Sequence, residues 1–162
     1  MTYSDAAFSS IVFNELMARN DTTLADPQGE YDDWIELKNI GDQTVDLAGM
    51  YLSDNPDNPL KWQFPEGTLV EPGGYLLVWA DEDGSDEPGL HANFRLAGDG
   101  ETVWLFDTIE QGHALLDSVT FEDLDEDQCS GRSPDGEGPM QVLSVPSPLG
   151  PNPMPVAAGD SP

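Results

Sequence analysis

Two short loops concentrate the carboxylates that could hold an ion. Asp81, Asp83, Asp86 and Glu87 occupy the first, and Asp123, Asp125 and Asp127 the second. Calcium takes about six to eight oxygens from mobile carboxylates and carbonyls, and alternating acids on a short loop could present about three of them. These seven residues are the candidate metal ligands, with Ca2+ the candidate ion and no other cofactor implied. Neither loop has the glycine and the terminal glutamate of the helix–loop–helix calcium motif. The competing expectation is an acidic loop standing in water with no ion. A third group, Glu15, Asp32, Asp33 and Glu36, converges if the first two strands pair. Asn14 and Glu15 are otherwise expected to make local hydrogen bonds at a β-bulge.

Catalysis needs a nucleophile, a base or a metal held in one constellation, and the chain offers few of the parts. Its histidines are His91 and His113. A structural side-chain hydrogen bond is expected for His91; His113, after Gly112 in a turn, is expected to be exposed. Cys129 stands in an acidic stretch, which raises a thiol pKa and makes a poor nucleophile. Ser130-Gly131-Arg132 is no nucleophile elbow. The glycines lie in turns without the lysine and helix of a phosphate cradle. No catalytic residue is assigned. Asn20-Asp21-Thr22 fits the glycosylation triplet, a pattern frequent by chance. Trp62, Trp79 and Trp104 belong to strand runs and the core, which leaves Trp34 as the candidate exposed aromatic.

Positioning these groups falls to a chain of 162 residues, a one-domain length with room for one sizeable core. Hydrophobic residues make up 38% and aromatics 9%, enough for a packed interior. Five Lys plus Arg face 32 Asp plus Glu, a formal charge of -27. That balance argues against nucleic acid as a partner, because phosphate contacts need clustered cations. An anionic membrane surface is disfavoured in the same way. An acidic excess suits calcium, a salty milieu or a basic partner. Lysine occurs only at Lys38 and Lys61, a composition that hints at a marine or halophilic source. A single cysteine allows no internal disulfide, and no apolar run reaches membrane-spanning length. MTYSDAAFSS lacks the basic-then-apolar pattern of a signal peptide. Residues 1–9 therefore read as a leader, and the chain as a piece of something longer.

Short strand-like runs separated by Gly, Pro, Asn and Asp clusters make an all-β pattern. Residues 34–39 are the clearest strand, with Ile35 and Leu37 alternating against Trp34, Glu36 and Lys38. Residues 75–80 (YLLVWA) are nearly continuously apolar, as expected of a central strand. Gly98-Asp99-Gly100 reads as a hairpin turn, residues 115–121 as the last alternating strand, and 130–138 (SGRSPDGEG) as irregular turns. No stretch sustains a helical period, so helix content is expected to be very low. From about residue 143 the chain becomes dense in proline, and 143–162 read as a Pro-rich linker or disordered tail. Eight or nine short strands bury their apolar faces most economically as two packed sheets. The expected fold is thus an all-β sandwich over residues 10–142.

Four stretches resemble the lamin-tail domain in its bacterial form: IVFNELMARN (11–20), EYDDWIELKNIGDQTVDLAGMYLSDN (30–55), LKWQFPEGTLVEPGGYLLVWAD (60–81) and LHANFRLAGDGETVWLFD (90–107). DSVTF (117–121), SGRSPDG (130–136) and PSPLGPN (146–152) fit as well. The DWIEL-N, W-FP and GGYLLVWA pieces are the most specific, and the resemblance covers most of residues 10–152. It implies an immunoglobulin-like β-sandwich. In animal lamins the domain is an interaction module on the tail of a filament protein. The bacterial forms are modules of secreted or surface proteins, often beside nuclease, phosphatase or spore-coat-type kinase domains. The family has no catalytic residues to carry across. This chain also lacks the rod heptads of a lamin and the basic surface that a chromatin contact requires.

The expected function is a noncatalytic interaction or targeting module of a larger, secreted or cell-surface protein. Its partners would be other domains of that protein or another protein, without nucleic acid and without direct membrane insertion. A calcium- or salt-stabilised structural spacer is the alternative, and a hydrolase-associated nuclease domain the third. The extracellular or cell-surface location rests on the resemblance alone.

Overall fold

The computed structural model describes residues 10–83 and 88–155. The leader 1–9, Asp86, Glu87 and residues 156–162 lie outside the described residues. Among those described there are twelve strands and no helix: β1 (Ile11–Met17), β2 (Asp33–Asn39), β3 (Val45–Asp46), β4 (Tyr51–Ser53), β5 (Trp62–Gln63), β6 (Leu69–Val70), β7 (Tyr75–Ala80), β8 (His91–Ala92), β9 (Gly100–Phe106), β10 (Leu115–Glu122), β11 (Cys129–Arg132) and β12 (Met140–Val142). Six form one sheet in the order β12-β11-β1-β2-β7-β8, and four form a second in the order β10-β9-β4-β5. β3 and β6 make a separate two-stranded ribbon. Phe13, Leu16, Ile35, Leu37 and Val78 from the first sheet pack with Leu52, Val103, Leu105, Val119 and Phe121 from the second. This is the two-sheet β-sandwich that the strand spacing predicts, of the immunoglobulin-like kind that the resemblance implies, with more strands than the eight or nine expected.

β1 owes its two faces to one extra residue. Plain alternation along IVFNELM would set Ile11, Phe13, Glu15 and Met17 together. The register with β2 shifts between Phe13 and Glu15, so Asn14 is a bulge and every later side chain changes face. Leu16 joins Ile11 and Phe13 in the core, while Glu15 and Met17 turn outward. The outer face holds a second apolar cluster of Met17, Trp34, Trp79, Cys129 and Leu143, with Leu24 of the β1–β2 loop packed on it. Trp34 is fully buried there. Its expectation as the exposed aromatic is therefore corrected. Alternation placed it on the outer face, but other parts of the chain cover that face.

Two further departures come from the C-terminal third. Residues read as irregular turns supply β11, an inner strand beside β1 with Gly131 opposite Glu15. Pairing on both edges overrides its weak strand propensity. Glycine is required at 131, because a Cβ there would come within 2.9 Å of the Asn14 carbonyl oxygen and 2.6 Å of Leu143. Residues 143–155, read as linker or tail, lie against the six-stranded sheet instead. Leu143 bridges to Pro155, and the N–H groups of Ser147, Leu149 and Asn152 donate to Glu15, Glu36 and Asp135. Proline removes donors only at its own positions and holds the chain extended. The residues between the prolines keep theirs and use them.

Candidate functional site

One end of the six-stranded sheet brings together the β1–β2 loop, the end of β7 and the start of β8, because Asp33 pairs with Ala80 and Ala80 with Ala92. Ligand atoms of Asp26, Asp81 and His91 lie there within 4.8 Å of one another, and so do those of Asp26, Glu30 and Asp32. The loop is tightly built. Asn20 donates its amide to the Leu24 and Asp32 carbonyls and accepts from the N–H groups of Thr23 and Leu24. The side chain that could have carried a glycan is thus buried and committed. Asp127 accepts from the N–H groups of Asp21, Thr22 and Thr23. Those bonds, led by that from Thr22, hold its carboxyl down at about 2.

Asp26 closes a turn of the Asx kind, its Oδ1 accepting from the N–H groups of Gln28 and Glu30 at 2.9 and 2.8 Å. Its Oδ2 is buried and accepts from no N–H or O–H among the described residues, and the same is true of Asp32 Oδ2. Burial and the neighbouring Asp26 push the Asp32 carboxyl up to about 7. Burial also works to raise Asp26, but the contact with Asp32 and the two N–H bonds outweigh it and hold that carboxyl below its ordinary value. His91 sits beside them with Nδ1 on Asp81 Oδ2 at 2.5 Å and Nε2 on the Pro88 carbonyl at 3.1 Å. The Pro88 carbonyl can only accept, so Nε2 donates, and while Asp81 is ionised Nδ1 donates as well and the ring carries a positive charge. Burial opposes that charge, yet the Asp81 and Pro88 contacts carry the pKa above its ordinary value. The structural hydrogen bond expected of His91 is present.

A second buried acidic network lies under residues 143–155. Glu15 and Glu36 face each other across β1 and β2 and are both sealed from water. Glu15 accepts from the N–H and the hydroxyl of Ser147, and Glu36 from the Asn14 amide and the Leu149 N–H. Burial raises both carboxyls, that of Glu36 to about 8. Asp135 accepts from Lys38, the Tyr75 hydroxyl, the Asn14 amide and the Asn152 N–H. Asn14 stands at the bulge, but the local hydrogen bonds expected of it are replaced by long-range ones to Glu36, Asp135 and the Gly136 N–H. Of the four acids expected to converge, only Glu15 and Glu36 do. Asp33 instead accepts from the Leu96 N–H at 2.9 Å, and burial lifts its carboxyl to about 6.

Among the predicted ligands that are described, Asp81 alone enters a cluster, and its companions there are Asp26 and His91. Asp83 donates its backbone N–H to Asp81 Oδ1 at 3.1 Å. Asp123 reaches Arg19 at 3.2 Å, Asp125 is exposed, and Asp127 is spent on the β1–β2 loop. The second acidic loop thus sends its carboxylates to different neighbours. Asp26 and Glu30 were missed in the sequence, where the only signal was the turn sequence Asp26-Pro27-Gln28-Gly29. His113 is half-buried rather than exposed, packed between the rings of Tyr51 and Phe106 with centroid separations of 5.4 and 5.1 Å. Cys129 is buried, and burial followed by the nearby Glu15 pushes its thiol far up. All five cations are paired: Arg19 with Asp123, Lys38 with Asp135, Lys61 with Asp54, Arg95 with Glu82 and Arg132 with Asp117.

The fold is thus an immunoglobulin-like β-sandwich module, and its Lys and Arg side chains, His91 and Cys129 all make internal contacts. The chain belongs to the Lamin Tail Domain family, whose model matches residues 4–123. β1 to β10 fall within that match; β11, β12 and the covering segment lie beyond it. No curated protein matches the chain.

Proposed function

We propose that the chain is a noncatalytic interaction or targeting module of a larger, secreted or cell-surface protein. Its work is to hold a neighbouring domain of that protein, or another protein, in place. Membership of the Lamin Tail Domain family carries this reading. The state of the reactive groups supports it. Cys129 is buried with a raised pKa, and His91 has both ring nitrogens engaged. The partner surface is expected to be neutral or basic, since the formal charge of -27 repels anions. Every Lys and Arg being paired argues against a phosphate backbone as ligand.

The test compares the parent protein with a form lacking residues 10–155. Loss of surface retention or of partner binding, with the catalytic rates of neighbouring domains unchanged, is the expected result. Turnover of nuclease or phosphatase substrates by the isolated chain with added divalent metal would overturn it. A structural spacer stabilised by calcium or salt is the second reading, favoured by the same charge. In that case removing the module changes the spacing of its neighbours but not what they bind.

A further inference from the structure

We propose that the β1–β2 loop is a binding site for a hard divalent cation, calcium above all, held by the carboxylates of Asp26, Glu30 and Asp32. The site is independent of whether the module docks on a partner or spaces its neighbours. Its first support is a pair of orphaned oxygens. Asp26 is only 5% exposed, its Oδ1 is fully used in the turn, and its Oδ2 has no donor among the described residues. Asp32 Oδ2 is in the same condition. Two carboxylate oxygens shut away from water and from donors call for a cation or a shared proton.

Charge and chemistry favour the cation. Asp26, Glu30, Asp32 and Asp81 supply four carboxylates against the single imidazolium of His91. No Lys or Arg completes the balance, because all five are paired elsewhere. The donor set is all oxygen. His91 cannot serve as a nitrogen ligand while its two ring nitrogens donate to Asp81 and Pro88. That removes the imidazole that a zinc site would use and leaves the ligands suited to calcium. Glu30 is exposed, so one side of the site is open to waters that would complete the coordination. The frame is rigid where it needs to be: Asn20 and Asp127 fix the loop before the ligands, and the Asp26 turn sets the spacing from 26 to 30.

Calorimetric titration of CaCl2 into the metal-free 162-residue chain, at mildly alkaline pH and fixed ionic strength, tests this. One saturable ion per chain is expected, with a Kd on the order of 10⁻⁴–10⁻³ M, as in extracellular calcium modules. At ~100-fold excess over Kd, Tm should rise by about 5–10 °C. Asp26→Asn keeps an oxygen for the turn and turns an N–H toward Asp32. It should abolish binding, yet melt in the metal-free state at or above the wild type. Glu30→Gln, on an exposed side chain, should weaken binding about tenfold while leaving the metal-free melt unchanged. Asp125→Asn in the other loop should bind as wild type. Absence of a saturable isotherm, a Tm rise equalled by NaCl at the same ionic strength, or wild-type affinity in both Asp26→Asn and Glu30→Gln would overturn the site. The first two results would assign the facing oxygens to a shared proton.

Discussion

Asp127 and Asp26 are both loop aspartates, yet their surroundings give them opposite work. Asp127 receives three backbone N–H groups and two hydroxyls, and its carboxyl is held down at about 2. Asp26 has one oxygen satisfied and one left over. A folded-state value below the unfolded one gives stability that is complete above about pH 4 and is lost as pH falls through about 2. Asp127→Ala should therefore cost ~1 kcal/mol near neutrality, the usual worth of a capping carboxylate, with solvent screening holding it to that scale. Urea unfolding at neutral pH and near pH 2 checks this. The gap between variant and wild type should close in acid; a gap that persists there would show that the loss is packing rather than charge.

At the scale of elements, β11 and the segment after it decide whether β1 is an edge or an inner strand. Arg132 and Asp117 complete the picture where β11 ends. Asp117 accepts from the Phe13 N–H at 2.8 Å, and Arg132 donates to the Phe13 carbonyl at 2.6 Å while pairing with Asp117. One ion pair thus ties the second sheet to the first. Gly131→Ala would drive a Cβ against the Asn14 carbonyl, and backbone cannot step aside as a side chain can. Its expected cost is about 1–3 kcal/mol, with faster amide exchange at residues 15–17 and 143–149. Unchanged exchange at 143–149 would mean that this segment does not depend on β11. A chain ending at Val142 removes the Ser147 and Leu149 donors from Glu15 and Glu36. It should melt lower than the full chain, as differential scanning calorimetry would read.

The whole molecule carries a formal charge of -27 and several buried carboxyls with raised pKa values. Each raised acid binds a proton more tightly when folded, so its penalty is absent below the unfolded value near pH 4 and grows as pH rises. The growth ends at about 6 for Asp33, about 7 for Asp32 and about 8 for Glu36. His91 acts in the same direction: its stabilisation is complete below about pH 6.5 and is lost as pH rises through its higher folded value. Asp26, Asp127 and Asp135, whose values are lowered, protect the fold until stronger acid. The metal-free chain should therefore be most stable at about pH 4–6 and lose Tm steadily toward about pH 8. Sodium chloride should raise Tm by screening the net charge. Melts across pH at two salt concentrations test this, and a flat profile would contradict it. Glu36→Gln should flatten the decline between about pH 5 and 8.

Local pattern alone settled the strands that touch both the core and their nearest neighbours. DWIELKN and YLLVWA form the strands read for them, and Ile35 and Leu37 take the core face that alternation gives them. The all-β class and the sandwich follow from the same local information, as does the Asn14 bulge. The burial of Trp34, the strand at Cys129–Arg132 and the docking of residues 143–155 were not legible. They depend on partners about a hundred residues away, such as Asn14 with Gly136 and Asn152, or Glu15 with Ser147. The candidate site divides in the same way. Asp81 was visible from composition, but Asp26 and Asp32 became its neighbours only when β2 paired with β7. Residue type decided that carboxylates would be abundant. Only tertiary structure decided which were capped, which were paired with a cation, and which two oxygens were buried facing each other without a proton donor.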